Sequence, residues 1–157
     1  MTNFPLPELL VAVLAVLLIV AAVVDIRTFT ISNWLVLAVA VLAIPFWWAS
    51  DVALWPDVAW RVGISLAVFA AFAAAFYLGM MGGGDVKLAA ALVLWFPPLA
   101  TILFLVLMSI AGGVLTLLVV IVHKLRSAEG KPEIPYGVAI AFGGLWLVAQ
   151  RFLNQFA

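Results

Sequence analysis

The sequence predicts an all-helical, polytopic membrane protein with about six transmembrane helices, forming a single membrane-embedded domain over residues 1–157. Of the 157 residues, 69% are hydrophobic and 9% are charged, whereas an average soluble domain is about half apolar and about a quarter charged. The apolar residues come in runs of about 20, which is enough to cross a bilayer as a helix. They lack the alternation of apolar and polar positions that marks a barrel strand.

Six apolar runs, separated by charged residues, prolines or glycines, give the predicted helices in chain order. Their expected ranges are 8–24, 33–50, 58–79, 85–96, 99–122 and 135–151. The fourth is the shortest, because Pro97 and Pro98 interrupt the run well before it reaches the length of a full crossing. It could be a short, tilted span, or a kinked helix that continues past the two prolines.

The distribution of basic residues predicts the orientation. If all six helices cross, the segments after helices 1, 3 and 5 share one side, and that side holds most of the lysines and arginines. These residues are Arg27, Lys87, Lys124, Arg126 and Lys131. Because lysine and arginine are in excess in cytoplasmic loops, this side is expected to be cytoplasmic and both termini are expected outside. Five tryptophans then fall near the outer boundary: Trp47, Trp48, Trp55, Trp60 and Trp95.

Composition also excludes several kinds of site. The chain has no cysteine, so it can form neither a disulfide framework nor a cysteine-based zinc site. Its formal net charge is zero, which gives no broad basic surface for nucleic acid. We therefore expect no metal, no cofactor and no nucleic-acid partner.

Two aspartates stand out in the apolar chain. Asp25 ends the first predicted helix and Asp85 follows the third; two crossings separate them, so both carboxylates return to the same membrane face. A charge at the edge of the hydrocarbon is costly and tends to mark function. Two neighbouring carboxylates cannot both ionise easily, so one can hold a proton while the other activates water, which is general acid and base chemistry on a peptide bond. Which aspartate plays which role is left open.

Three glycines, Gly82, Gly83 and Gly84, directly precede Asp85. They remove every side chain beside the carboxylate and leave room for an extended substrate strand. A helix cap or a close helix contact would also explain them. Asp25 could instead form a local ion pair with Arg27, and Lys87 could either bias the aspartates or contact lipid headgroups.

Through these aspartates and glycines, the chain resembles the type IV prepilin peptidases, which are aspartic proteases of the GxGD class. Gly82, Gly83, Gly84 and Asp85 form the GxGD sequence. The family's first aspartate is followed by an arginine and an Ile-Pro-Asn turn, and the present "DIRTFTISNW" has Ser32 in place of the proline. The matching positions are Asp25, Arg27, Ile31 and Asn33. A third element, Pro135-Tyr136-Gly137, resembles the Pro-aromatic-Gly that opens the family's last helix.

The resemblance implies a multi-pass endopeptidase of the bacterial inner membrane, with its active site facing the cytoplasm. Its substrate would be a prepilin or pseudopilin with a short basic leader, removed just before the apolar helix. Asp25 and Asp85 would be catalytic. The substrate would be bound by Gly82, Gly83, Gly84, Pro135, Tyr136 and Gly137, and Arg27, Asn33 and Lys87 would support the site.

Members of the family that also methylate the cleaved pilin carry a cytoplasmic insertion with cysteine pairs. Since this chain has no cysteine and passes directly from helix 1 to Asp25, it resembles the short, peptidase-only forms that serve Flp (tight-adherence) pili. No methyltransferase activity is expected.

Other functions share some of these features. Preflagellin peptidases and presenilin-like intramembrane proteases also carry GxGD, but the latter have a Pro-Ala-Leu element where this chain has Pro135-Tyr136-Gly137. A small proton-coupled transporter would use membrane carboxylates as a relay, yet here the carboxylates cluster at one face. The remaining functional class is a non-catalytic subunit that holds pilins. Such a subunit would need neither aspartate for its function.

Overall fold

All regular structure in the described residues is helical. The computed structural model describes residues 6–126, 130 and 132–155. These contain six α-helices: α1 (Leu6–Thr28), α2 (Asn33–Ala49), α3 (Ala59–Tyr77), α4 (Gly83–Val93), α5 (Pro98–Leu125) and α6 (Tyr136–Gln155). A short π-helical turn, Leu54–Val58, leads into α3. The predicted all-helical fold is confirmed; Lys131, used above for the orientation, lies outside the described residues.

Four segments are long and apolar enough to cross a membrane: Leu6–Thr28, Leu54–Tyr77, Pro98–Leu125 and Tyr136–Asn154. The helix α2 is also apolar but has 17 residues. By contrast, α4 has 11 residues, or about 16 Å at the rise of an α-helix, roughly half the thickness of the hydrocarbon layer. The protein is therefore a polytopic membrane protein with one short internal helix.

The fourth helix does not continue past the prolines. It ends at Val93, and Pro97 is the N-cap residue of the next helix, α5, which begins at Pro98. Proline is well tolerated at a first helical position because its missing N–H has no partner there. The two prolines thus start a helix, and the kinked alternative is wrong.

The short helix α4 lies inside the bundle and packs against α2, α3 and α6. Its residues Leu88, Leu92 and Val93 are fully buried. Lys87, on the same helix, is exposed. The helix α1 packs against α2 and α6, and α5 packs chiefly against α6. The surrounding helices thus enclose the helix that carries Asp85.

The two ends of the bundle differ in their polar residues. At the start of α1, Glu8 forms an ion pair with Arg151 near the end of α6, with 3.4 Å between the charged atoms. Asp25, near the opposite end of α1, contacts Gly137 at the start of α6. The helices α1 and α6 are therefore antiparallel neighbours, and the aspartates lie at the end away from Glu8 and Arg151.

The tryptophans separate into two groups. Trp48, Trp55 and Trp60 are 79%, 82% and 60% exposed, and their place at the membrane interface stays a prediction. Trp47 and Trp95 instead point inward, and their indole N–H groups donate to the backbone oxygens of Leu94 and Val39 at 2.8 and 2.9 Å. These two indoles join α2 to the C-terminal end of α4, a role that the sequence did not predict.

Candidate active site

Asp25 lies in the last turn of α1 and is 2% exposed. The helix ends when the Phe29 N–H donates to the Asp25 backbone oxygen at 2.9 Å. Phe29 adopts a left-handed conformation with φ of 50°, which is a common way to end a helix. The chain changes direction at this turn, and Ile31, which follows it, is buried close to Asp25.

The Asp25 carboxylate faces the N-terminus of α6. The backbone amides of Gly137 and Val138 are directed at it, and a Cβ atom at Gly137 would lie 2.7 Å from Asp25 Oδ2. Amides at a helix N-terminus favour a negative charge. Pro135 immediately precedes α6, and Tyr136 is the first residue of that helix. The predicted Pro135-Tyr136-Gly137 element therefore lies against Asp25.

Asp85 is the third residue of α4 and is 8% exposed. Its side chain folds back toward Gly82, the N-cap residue of the helix, and the Gly82 amide is directed at its carboxylate. A negative charge in the first turn of a helix is favoured by the helix dipole. The second oxygen, Asp85 Oδ1, is buried without a hydrogen-bond partner among the described residues, and so is Asp25 Oδ2.

Ile31 lies between the two aspartate-bearing segments. A Cβ atom at Gly84 would lie 3.0 Å from Ile31 Cβ and 3.1 Å from its backbone oxygen, and one at Gly137 would lie 2.7 Å from Ile31 Cδ1. Gly84 directly precedes Asp85, and Gly137 contacts Asp25, so Ile31 links the two carboxylate positions. The structure thus brings both predicted aspartates to one end of the bundle. The resemblance matched Ile31, but sequence reasoning assigned it no role.

The three glycines before Asp85 have three different neighbours. Gly84 packs against the backbone of Ile31, while a Cβ at Gly83 would lie 3.4 Å from the Phe76 ring. A Cβ at Gly82 would lie 2.7 Å from Asp85 Oδ2. The close-contact alternative therefore explains Gly84, and access of an extended substrate to Gly82, which is exposed, stays a prediction.

The supporting residues lie around the turn between α1 and α2. Lys87 Nζ donates to Asn33 Oδ1 at 3.0 Å and so joins α4 to the start of α2. Ser32, which replaces the family's proline, is the N-cap residue of α2, and its hydroxyl accepts from the Leu35 N–H at 3.3 Å. Arg27 is exposed and makes no ion pair with Asp25, so the local ion-pair alternative is wrong.

Tyr136 forms one wall of an adjoining groove, which sequence reasoning missed. The groove has a volume of about 340 Å³ and runs between the end of α3, Met80 and Met81, and the glycine pair Gly112 and Gly113 on α5. The Tyr136 ring lies over Gly112 and its hydroxyl accepts from Thr116 Oγ1 at 3.4 Å. Met81 precedes Gly82, and Tyr136 precedes Gly137, which contacts Asp25. The groove therefore adjoins the segment that carries Asp85 and the part of α6 that faces Asp25. The adjacent glycines on α5 were the signal in the sequence.

No group of three or more side chains able to hold a metal ion comes together within the described part of the chain. The chemically distinctive feature of this end of the bundle is its two buried carboxylates.

A comparison with known protein families assigns the chain. Residues 12–117 match the type IV leader peptidase family. The chain belongs to this family. No curated protein and no solved structure matches it. The matched segment includes Asp25, Ile31 and the Gly82 to Asp85 motif and ends before Tyr136. As a type IV leader peptidase family member with four apolar helices long enough to cross a membrane, the protein is a membrane protease.

Proposed function

We propose that this protein is an aspartic endopeptidase that removes the leader peptide from type IV prepilins of the Flp class. The observation that carries the proposal is the position of Asp25 and Asp85 at one end of the bundle, on either side of Ile31. They are two buried carboxylates from distant parts of the chain, each with a buried oxygen that no described group satisfies. Buried unpaired carboxylates are costly, and their presence together indicates chemistry.

The two carboxylates would act as one unit. Two neighbouring negative charges disfavour each other, so the pair holds one proton. The ionised carboxylate takes a proton from water as the water oxygen attacks the peptide carbonyl carbon, and the protonated carboxyl gives its proton to the leaving amine. Asp85 lies in the first turn of α4, and Asp25, in the last turn of α1, faces the N-terminus of α6. Since each carboxylate thus lies near a helix N-terminus, neither is singled out as the acid.

In this proposal, this end of the bundle lies on the cytoplasmic side of a bacterial inner membrane, and the basic residues support that orientation. Arg27 and Lys87 flank the aspartates, and Lys124 and Arg126 stand at the end of α5 beyond the Tyr136 contact. Their excess at one end follows the rule for cytoplasmic segments. A leader that is cut just before an apolar helix would present its cleavage site at this boundary.

The short connection between α1 and α2 supports a peptidase-only form. Only residues 29–32 separate the two helices, so this position holds no inserted domain that could bind S-adenosylmethionine. Cleavage without methylation of the new N-terminus is the corresponding expectation.

Co-expression with candidate Flp-type prepilins, followed by mass spectrometry of the pilin N-terminus, tests the proposal. We expect a single cut that removes the basic leader and leaves the apolar segment intact and unmethylated. A cut within the apolar segment would instead indicate an intramembrane protease. Unprocessed product from every prepilin tested would contradict leader cleavage.

The groove beside Tyr136 fits the apolar residues that follow the cut. It contains Met80, Met81 and Met108, whose flexible thioether side chains adapt to different apolar surfaces. Its small residues, Gly112 and Gly113, allow a helix to come close. The substrate's cleavage site would then lie between the groove and the two carboxylates.

Filling this groove should weaken substrate binding. A Cβ atom at Gly113 would meet nothing within 4 Å, so Gly113→Leu places its side chain in the groove without disturbing the protein's own packing. We expect KM for a purified prepilin to rise about tenfold, equivalent to about 1.4 kcal/mol. Gly63→Leu is the matched control, because Gly63 on α3 also has open space around it and does not line the groove. Equal KM values for the two variants would exclude this binding path.

A further inference from the structure

The C-terminal end of α4 is held by side chains from two other helices. A helix leaves its last carbonyl groups without intrahelical partners, and in a membrane no water replaces them. Since α4 has 11 residues, it ends within the bundle, where this requirement is most severe. The protein must therefore supply donors at this point.

The backbone amides of Trp95 and Phe96 donate to the Leu92 and Val93 oxygens. Three side chains hold the Ala90 oxygen within α4 and the oxygens of the two residues that follow the helix. Ser65 Oγ donates to the Ala90 oxygen at 2.8 Å, Trp47 Nε1 donates to the Leu94 oxygen at 2.8 Å, and Arg61 Nη1 donates to the Trp95 oxygen at 2.7 Å. Trp47 belongs to α2, and Arg61 and Ser65 belong to α3. We call Trp47, Arg61 and Ser65 the α4 anchor.

The buried charge of Arg61 makes this arrangement more than a routine helix cap. Arg61 is 9% exposed, and its Nε is buried without a hydrogen-bond partner among the described residues. Charges buried inside membrane proteins are costly and mark functional positions. A positive charge does favour the C-terminal end of a helix, but a neutral donor would satisfy the Trp95 oxygen at a lower cost.

The anchor acts on Asp85 through the length of α4. An α-helix of 11 residues is a stiff rod of about 16 Å, so a donor at one end sets the position of the other. At the Asp85 end, Gly84 lies against the Ile31 backbone with no space for a shift toward it. The remaining side-chain bond there, from Lys87 to Asn33, is exposed. The buried side-chain hydrogen bonds that hold α4 along its axis therefore lie at its C-terminal end: those of the anchor, and the bond from the Trp95 indole to the Val39 oxygen.

We propose that Trp47, Arg61 and Ser65 are positioning residues that set the Asp85 carboxylate against Asp25, at the far end of the helix that they hold. This inference rests on the proposed function, because it assigns a catalytic task to the pair of aspartates. The sequence shows Arg61 as a charge next to an apolar run, but the contact with Trp95 becomes visible only in the fold.

Steady-state kinetics with a purified prepilin test the anchor. Trp47→Phe keeps an aromatic ring and removes the N–H donor, and Arg61→Met removes the guanidinium. We expect each to lower kcat, per folded molecule, by between about 10-fold and about 100-fold, the range for a catalytic group displaced by up to about 1 Å. KM should not change, because the groove is untouched, and Arg61→Lys should recover part of kcat. A purely structural role would reduce the folded fraction and leave kcat per folded molecule unchanged.

Trp48→Phe is the matched control, because Trp48 is the neighbouring residue on α2 and is 79% exposed. Hydrogen exchange gives a second measurement that needs no cleavage: residues 83–93 should exchange faster in Trp47→Phe than in Trp48→Phe. Wild-type kcat in Trp47→Phe, or unchanged exchange in α4, would overturn the anchor. Faster α4 exchange in a protein whose wild-type form cleaves no prepilin would instead support the anchor and contradict the proposed function.

Discussion

Protein carrying Asp25→Asn or Asp85→Asn is expected to cleave a prepilin between about 100-fold and about 10,000-fold more slowly than the wild type, the range for losing general acid or base catalysis. Asparagine has nearly the same shape as aspartate but can neither take a proton from water nor give one to the leaving amine. Because each aspartate belongs to the same unit, both single variants and the double variant should lose similar amounts of activity. Leader removal measured on purified, folded protein provides the rates.

The folded state should survive these changes. Asp25 and Asp85 are both buried, where a charge is costly, so a neutral amide at either position should not lower the melting temperature in detergent. Asp51→Asn is the matched control, since Asp51 is exposed and has a φ of 50°, a conformation that asparagine adopts readily. Full cleavage by both single variants would show that the aspartates are not catalytic, as in a non-catalytic pilin-holding subunit.

A methyl group at Gly137 should lower the cleavage rate by about 100-fold, the loss expected from a displacement of about 1 Å. The added Cβ would lie 2.7 Å from both Asp25 Oδ2 and Ile31 Cδ1, closer than atoms can approach. Both obstructing atoms are at the ends of side chains, so the Asp25 carboxylate would move and the backbone would not. Gly137→Ala should therefore reduce kcat far more than it reduces the melting temperature.

Gly63→Ala separates this effect from the general consequences of replacing a helical glycine. Gly63 lies within α3, and a Cβ atom there would meet nothing within 4 Å. Alanine favours a helix over glycine by about 1 kcal/mol, so Gly63→Ala should be fully active and no less stable than the wild type. Wild-type cleavage by Gly137→Ala would mean that the position of Asp25 against α6 does not matter for the reaction.

Most of the helices were predictable because the membrane imposes a simple rule. A segment that crosses hydrocarbon must satisfy its own backbone hydrogen bonds, so length and apolarity identify the helix. Thus the first helix, predicted over residues 8–24, is Leu6–Thr28, and the fourth is short as expected. The local composition did not show whether Pro97 and Pro98 bend one helix or begin a new one, because proline is compatible with both.

The same reasoning explains which site residues were found. Counting crossings between Asp25 and Asp85 requires no side-chain contacts, and it places both at one face. The roles of Trp47 and Trp95 were not predictable in this way, because an indole at a helix end suits a membrane boundary equally well. Only their bonds to the backbones of Leu94 and Val39 show that they point inward.

By itself, the sequence determined a membrane-embedded, all-helical chain with two carboxylates at one face and the motifs of a leader peptidase, because hydrophobicity and the number of crossings depend only on residue order. The tertiary structure decided which groups surround those carboxylates. Ile31 lies against both Gly84 and Gly137, and α6 directs its first amides at Asp25. These contacts join residues as far apart in the sequence as Asp25 and Gly137. Their geometry depends on how side chains of particular sizes pack between helices, which no local pattern in the sequence records.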